Sequence, residues 1–461
     1  MQRRSFLSAL ASTLALTGLP IAAQNSQGKR IIVVGAGLAG LSASYLLERL
    51  GFEVVLLEAT QRVGGRVRTL DGIKGRPEGG ANVLGPNYGR AIAYAKALGL
   101  TLRPPSRSAA SGLLIDSTYI PAADWATSAK NRLPSHLKRW MPDQARTLML
   151  PKALVGSSDW LSAQQQQWDY SALRYFQEQG AKPEAIDWFA RNNSYGNSLA
   201  DTSLLNLMRV SESIQTAIAM RQPTLVVADG NSRLPEAIAR ALISKIVFDA
   251  PVQTYRATRT QVTVITSGGV EFSADAALFA IPLTTLRQIE FQPQLPVQMR
   301  ELMNRTPYHK VLQSHWTLRR DTTGAMPDLV WTNGPLGRLF FSKIDANSVH
   351  INAWINGDDV DYWRGLDRRQ QRQTLEQALV QIPAASGELS HDVEMDWALE
   401  PYQQGVWATW LPGDIKHIPK VSQAQDRAFF AGEHTGVSYS GMEGALESAE
   451  RAVLQITRAL S

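Results

Sequence analysis

Cysteine is absent from all 461 residues. Its absence excludes disulfides and any cofactor attached through a thioether, and it leaves no thiol to mispair in an oxidising compartment. Histidine is scarce, at seven, and no pair stands in HxxxH-type spacing, so no metal site is expected. There is no Lys/Arg run of the kind that binds nucleic acid; 47 basic against 41 acidic residues leave +6 spread along the chain, a solvated basic surface. Long apolar runs are missing too, and no stretch is a comfortable membrane span. No solenoid-type repeat is present, and the glutamines at 164–167 are too few to form a low-complexity tract.

What remains is the composition of an ordinary soluble globular protein, 44% apolar and 19% charged, long enough for about two to three domains. The N-terminus reads RRSFLSALASTLALTGLPIAAQ. Paired arginines Arg3 and Arg4 precede an apolar stretch broken by Ser, Thr and Gly, with small residues for a cut near Ala23. Arg3-Arg4-Ser5-Phe6-Leu7 resembles a twin-arginine export signal. Residues 1–23 are therefore expected to be a leader that engages the twin-arginine translocase. The mature protein is expected to be periplasmic, without a membrane anchor; an uncleaved anchor is the alternative.

The stretch IIVVGAGLAGLSASYLLERLGFEVVLLEATQRVGGR follows, from Ile31 to Arg66. Ile31 to Val34 reads as a buried β-branched strand. Gly35, Gly37 and Gly40 stand in GxGxxG spacing before a helix over 41–50. The first permits a tight turn, the second lets backbone approach a pyrophosphate, and the third allows close helix–strand packing. The helix N-terminus offers free N–H groups to phosphate. Glu53 to Leu57 is a second strand, and Glu58 ends it about twenty residues beyond the glycines, where a carboxylate suits a ribose hydroxyl pair. Together these make a complete dinucleotide site. A protein that folds around such a ligand before crossing a membrane suits twin-arginine export.

Apolar patterning divides the rest into segments that return to this first unit twice. Residues 101–223 are richer in Trp, Pro, Gln and Arg, with helical stretches over 168–179 and 203–220. TLVVADGNSRLPEAIARAL reads as strand, turn and helix, VTVITSGGVEF as a hairpin turning at Gly268-Gly269, and DAALFAIP as another buried strand. From about 295 to 400, alternating VLQSHWTL and SVHINAWI predict a second sheet. Leu446, Ala449, Val453, Ile456 and Leu460 give one apolar stripe on a terminal helix.

Six ordered blocks carry a specific resemblance: EATQRVGGRVRT, EGGANVLGPN, VVADGNSRLPEAIA, FAIPLTTLRQIEFQPQLP with YHKVLQSHW, DWALEPYQQGVW, and FFAGEHTG with SGMEGALESAERA. In these the chain resembles the flavin-containing amine oxidases, the family of monoamine and polyamine oxidases. The resemblance implies an α/β fold in which a Rossmann-like FAD-binding domain of the GR2 type (30–100, 224–295 and 400–461) interleaves with an α+β substrate-binding domain (101–223 and 296–399). It implies non-covalent FAD held by Gly35, Ala36, Gly37, Ala39, Gly40, Glu58 and Arg66, by Gly80, Ala81 and Asn82, by Val252 at the adenine, and by Trp397 and Glu433. Met442 opens the terminal helix and would face the flavin N1/C2=O edge, where a helix N-terminus stabilises the charge gained on reduction. Lys310 matches the lysine that holds a water beside flavin N5, with His309 alternating to the other face of its strand. Trp407 matches an aromatic wall beside the substrate amine.

The sequence also departs from the family. Val406 stands where some monoamine oxidases carry their flavin-linking cysteine. Gly441 replaces the second aromatic wall, and Tyr439 is a candidate to fill the gap. Val83 stands where L-amino-acid oxidases place an arginine for the substrate carboxylate, so an amine without an α-carboxylate is expected. The implied reaction is hydride transfer from an amine α-carbon to flavin N5. The imine product hydrolyses to an aldehyde or ketone, with oxygen or a redox carrier as acceptor. A related flavin desaturase acting on C–C bonds, and a non-catalytic exported scaffold, are the alternatives.

Overall fold

The computed structural model describes residues 28–461 apart from 106–110, 155, 157 and 321–325. The leader features at Arg3, Arg4 and Ala23 lie outside the described residues. Short apolar runs build a parallel five-stranded sheet in the order Ala428–Phe430, Ala276–Phe279, Arg30–Val34, Glu53–Leu57, Ile246–Val247. Ile31, Ile32 and Val33 are fully buried, as strands covered on both faces must be. The helix Leu38–Arg49 begins three residues before the expected start and packs against the terminal helix Gly441–Leu460. Leu446, Ala449, Val453 and Ile456 supply the buried stripe of the latter. Gly35 has φ +99°, and a Cβ on Gly40 would stand 1.8 Å from the Gly35 carbonyl oxygen. Only glycine lets this helix lie so close to the strand. Strand order reverses around Arg30–Val34, which puts a crevice at the carboxyl ends of the strands.

The expected hairpin forms Val262–Thr266 and Glu271–Ala274 inside a four-stranded sheet with Val252–Ala257 and Glu290–Gln292. VV at 226–227 forms the expected strand, short and paired with Leu102–Arg103, ahead of the expected helix Arg233–Arg240. One expectation needs correction. The helix expected over 168–179 is divided into a 3-10 turn, Ala163–Trp168, and the helix Ala172–Glu178, because Ser171 bridges to Ser203 and its hydroxyl accepts the Arg174 N–H.

The second sheet has seven strands in the order Glu388–Asp396, Val311–Arg319, Ser348–Asn356, Arg338–Lys343, Leu329–Thr332, Ser111–Ile115, Thr118–Pro121. Alternation gives it two faces. Leu312, Leu339, Phe341, Ile351 and Ile355 pack with Val360, Trp363 and Leu375 of the helices Asp359–Gly365 and Arg368–Leu379. Gln313, Arg338, Phe340 and Trp354 point the other way and line the cavity described below. The helices Pro142–Met149, Ala172–Glu178, Pro183–Arg191 and Leu204–Ala219 pack around Trp160, Phe176, Trp188 and Phe189, and they bring the turn at 192–195 to that cavity.

Candidate active site

A cavity of about 500 Å³ runs from the carboxyl ends of the parallel strands to the seven-stranded sheet. Its first half carries most of the residues expected at a dinucleotide: Gly35, Gly37, Ala39, Glu58, Arg66, Gly80, Ala81, Asn82, Val252, Trp397, Glu433 and Met442 all line it. Glu58 is held in place at its strand end. Its Oε2 accepts the Ala36 N–H at 2.7 Å, and its Oε1 accepts the Thr60 N–H at 3.0 Å and hydroxyl at 2.8 Å. Ala36 and Gly40 themselves lie behind the wall, one orienting this carboxylate and the other admitting the helix. Arg66 and Glu433, expected separately at the cofactor, meet each other: Arg66 Nη1 stands 3.0 Å from Glu433 Oε1, which also accepts the Ala408 N–H at 3.1 Å. Trp397 is locked by its indole N–H donating to the Gly79 carbonyl at 2.8 Å.

The second half is aromatic. The Trp407 indole N–H donates to the Ser194 carbonyl at 2.7 Å. Two rings lie nearly parallel to it: Tyr195 at 5.6 Å and 24°, and His309 at 6.1 Å and 15°. Burial lowers the His309 imidazole to about 4, so this ring is neutral at physiological pH. Tyr195 lines the cavity beside Trp407, and burial raises its phenol above the usual range.

Two expected residues are elsewhere. Lys310 does not line the cavity; its Nζ donates to Asp361 Oδ2 at 2.6 Å. The reason is strand parity. Residues 309 and 310 do alternate as expected, but the faces are exchanged: His309 packs beside Trp407, while Lys310 shares the side of Leu312 and meets the helix Asp359–Gly365. The polar side chain this strand presents to the cavity is Gln313, whose Oε1 accepts the Asn352 amide at 2.7 Å and whose Nε2 is buried without a protein partner. Tyr439 does not line the cavity either. Its backbone is tied down, the N–H donating to Glu447 and the carbonyl accepting from Arg209. The gap at Gly441 is filled by Tyr88, whose hydroxyl stands 3.5 Å from where a Gly441 Cβ would be. Tyr88 lies just beyond the quoted EGGANVLGPN block, and no local signal ties it to residue 441.

A model of the flavin-containing amine oxidoreductases matches residues 38–457. The chain belongs to that family. Amine oxidase [flavin-containing] B of Homo sapiens is 25% identical over 458 residues, spanning 93% of this chain and 86% of that protein. Among solved structures, wild-type putrescine oxidase bound to putrescine is similar in fold, with a TM-score of 0.80 at 20% identity, covering 93% of this chain and 98% of that one. Cyclohexylamine oxidase from Brevibacterium oxydans IH-35A gives 0.78 at 20%, covering 94% and 99%.

This amine oxidoreductase is thus an FAD-dependent enzyme acting on amines, with an α/β fold of a Rossmann-like FAD-binding part and a substrate-binding part. Its residues fit FAD. A Cβ on Gly37 would project into space with no atom within 4 Å, so bare backbone borders room for the pyrophosphate. Asn82 Oδ1, on the same wall, is a buried acceptor without a partner among the described residues. The first turn of Gly441–Leu460 brings Met442 and the positive end of a helix dipole to the cavity. Val406 lines the cavity and the chain has no cysteine, so FAD is held non-covalently.

Proposed function

We propose that this enzyme takes a neutral amine into the slot bounded by Trp407, Tyr195 and Tyr88 and removes a hydride from the carbon bearing the nitrogen. FAD, which Gly37, Glu58, Asn82 and Met442 would hold, would supply the acceptor for that hydride and a route for its electrons to oxygen as peroxide. The imine leaves and hydrolyses to an aldehyde or ketone. The chain's contribution is orientation and electrostatics. The aromatic rings hold the amine's carbon chain, Trp407 is fixed by Ser194, and Gln313 offers an amide N–H. The N-terminus of Gly441–Leu460 would stabilise negative charge gained by the reduced cofactor. The carrying observation is that Trp407 and Tyr195 stack on one side of a cavity whose gap at Gly441 is filled by Tyr88. Anaerobic mixing with a panel of amines tests it: the yellow flavin bleaches with at least one amine, and readmitted air returns one peroxide per amine. A flavin that bleaches with none defeats the reading.

We further propose that the enzyme is exported folded through the twin-arginine route to the periplasm, on the strength of the Arg3-Arg4 pair before an apolar stretch and the cysteine-free chain. Replacing both arginines by lysine keeps the charge and should leave yellow protein in the cytosol. Undiminished periplasmic protein would remove the proposal.

A further inference from the structure

Arg338 is the cavity's least satisfied charge. The other charged lining residues are spoken for: Arg66 pairs with Glu433, and Glu58 binds Ala36 and Thr60. Arg338 opens the strand Arg338–Lys343, pairs in register with Trp354, and shares the cavity face with Phe340 and Gln313. Its Nη2 donates to the Asn192 carbonyl at 2.8 Å, while its Nε is buried without a partner among the described residues. The one carboxylate paired with it among the described residues, Asp143, stands 4.0 Å away and is more than a third exposed. That carboxylate is shared. Arg146, buried behind it with its Nη1 donating to the Phe189 carbonyl at 2.8 Å, feels both Asp143 and Arg338. Among the described residues, two guanidiniums and one carboxylate leave this wall with a surplus positive charge.

The charge sits close to the amine slot. Arg338 bonds the carbonyl of Asn192 and Trp407 that of Ser194, so their anchor points lie two residues, at most about 7 Å of chain, apart. We propose that the cavity selects amines carrying a carboxylate remote from the nitrogen, ω-amino carboxylates, with Arg338 receiving the anion; this rests on the amine-oxidation reading above. The uncharged Val83, on the same cavity wall as Asn82, offers a carboxylate no such partner. A neutral tail leaves the guanidinium N–H unanswered, and the second ammonium of a diamine meets a like charge. A guanidinium offers a carboxylate paired, charge-assisted hydrogen bonds.

The test compares three molecules of one length: 5-aminopentanoate, pentylamine and 1,5-diaminopentane. The readout is the anaerobic flavin-bleaching rate over the apparent Kd, for the FAD-loaded enzyme. The amino acid should exceed pentylamine by roughly tenfold to a hundredfold, with the diamine below both. Arg338→Met should collapse the ratio of amino acid to pentylamine, and Arg338→Lys should restore part of it. Flavin content of each purified variant reports folding, and the wild-type ratio falling with added salt provides a measurement independent of any variant. Bleaching by pentylamine without preference for the amino acid, or a preference that survives Arg338→Met, overturns this inference and leaves amine oxidation standing. Bleaching by no amine of a broader panel removes both.

Discussion

A phenol oxygen 3.5 Å from an absent Cβ determines what Gly441 does. Read along the sequence, Gly441 leaves one side of the amine site open; in the fold, Tyr88 closes it from a point more than three hundred residues earlier. Tyr88→Ala should therefore lower amine kcat/KM by on the order of tenfold or more, while Tyr88→Phe keeps the ring and most of the activity. An alanine variant as active as the parent, with normal flavin content, would remove Tyr88 from the site. Lys310 leads to the opposite expectation. Its partner is the exposed Asp361, so Lys310→Met should leave flavin reoxidation by oxygen within about twofold and cost at most about 1 kcal/mol of stability. Stopped-flow reoxidation decides the matter, since a large slowing would return the lysine to the cofactor. The alternation of His309 and Lys310 was legible from strand period, whereas which of the two faces the cavity depends on the helix that covers the sheet.

At the scale of elements, legibility followed burial. Parallel strands such as Arg30–Val34, buried from Ile31 onward, announce themselves as apolar runs, and the alternating strands Val311–Arg319 and Ser348–Asn356 announce a sheet with two different faces. Short pairings do not: Val226–Val227 finds Leu102–Arg103 by a contact no pattern encodes, and Ser171 interrupts an apparently continuous helix through its bridge to Ser203. The glycines are legible because their demand is steric. Gly40→Ala would place a Cβ 1.8 Å from the Gly35 carbonyl oxygen and push the helix Leu38–Arg49 off its strand. The expected cost is about 1–3 kcal/mol or more, and displacement of the pyrophosphate-facing turn should leave the protein short of FAD. Denaturant midpoint and absorbance per chain test both effects; a fully yellow variant of unchanged stability contradicts the packing argument.

For the whole molecule, the cofactor half joins strands from both ends of the chain, with Arg66 and Glu433 meeting across 367 positions, and the core that supports it buries four histidines. Burial is the first cause in each: His309 and His350 are lowered to about 4, His434 to about 3, and His315, in contact with His350 at 3.0 Å, to about 2. All are neutral when folded, while an unfolded histidine takes a proton near about 6.5. As pH falls below about 6.5, the unfolded chain therefore binds protons that the native state refuses. Each histidine then removes about 1.4 kcal/mol of stability per pH unit, until the pH reaches its folded value. Glu78, raised by burial to about 7, acts in the other direction: it is more easily protonated when folded, so it gains stability as pH falls from about 7 toward its unfolded value. Glu443, Asp359 and Asp392 are also raised by burial and act with Glu78, whereas His391 and His417 are also lowered and act with the four; the four deeply buried histidines prevail. Stability should be greatest above about pH 6.5 and should fall toward pH 5. His350→Gln should shallow that slope, because it removes one of the four refused protons. Denaturant titrations at half-unit steps of pH measure the slope, and a stability level or rising from pH 6.5 to 5 would mean that these imidazoles are not held neutral by the core.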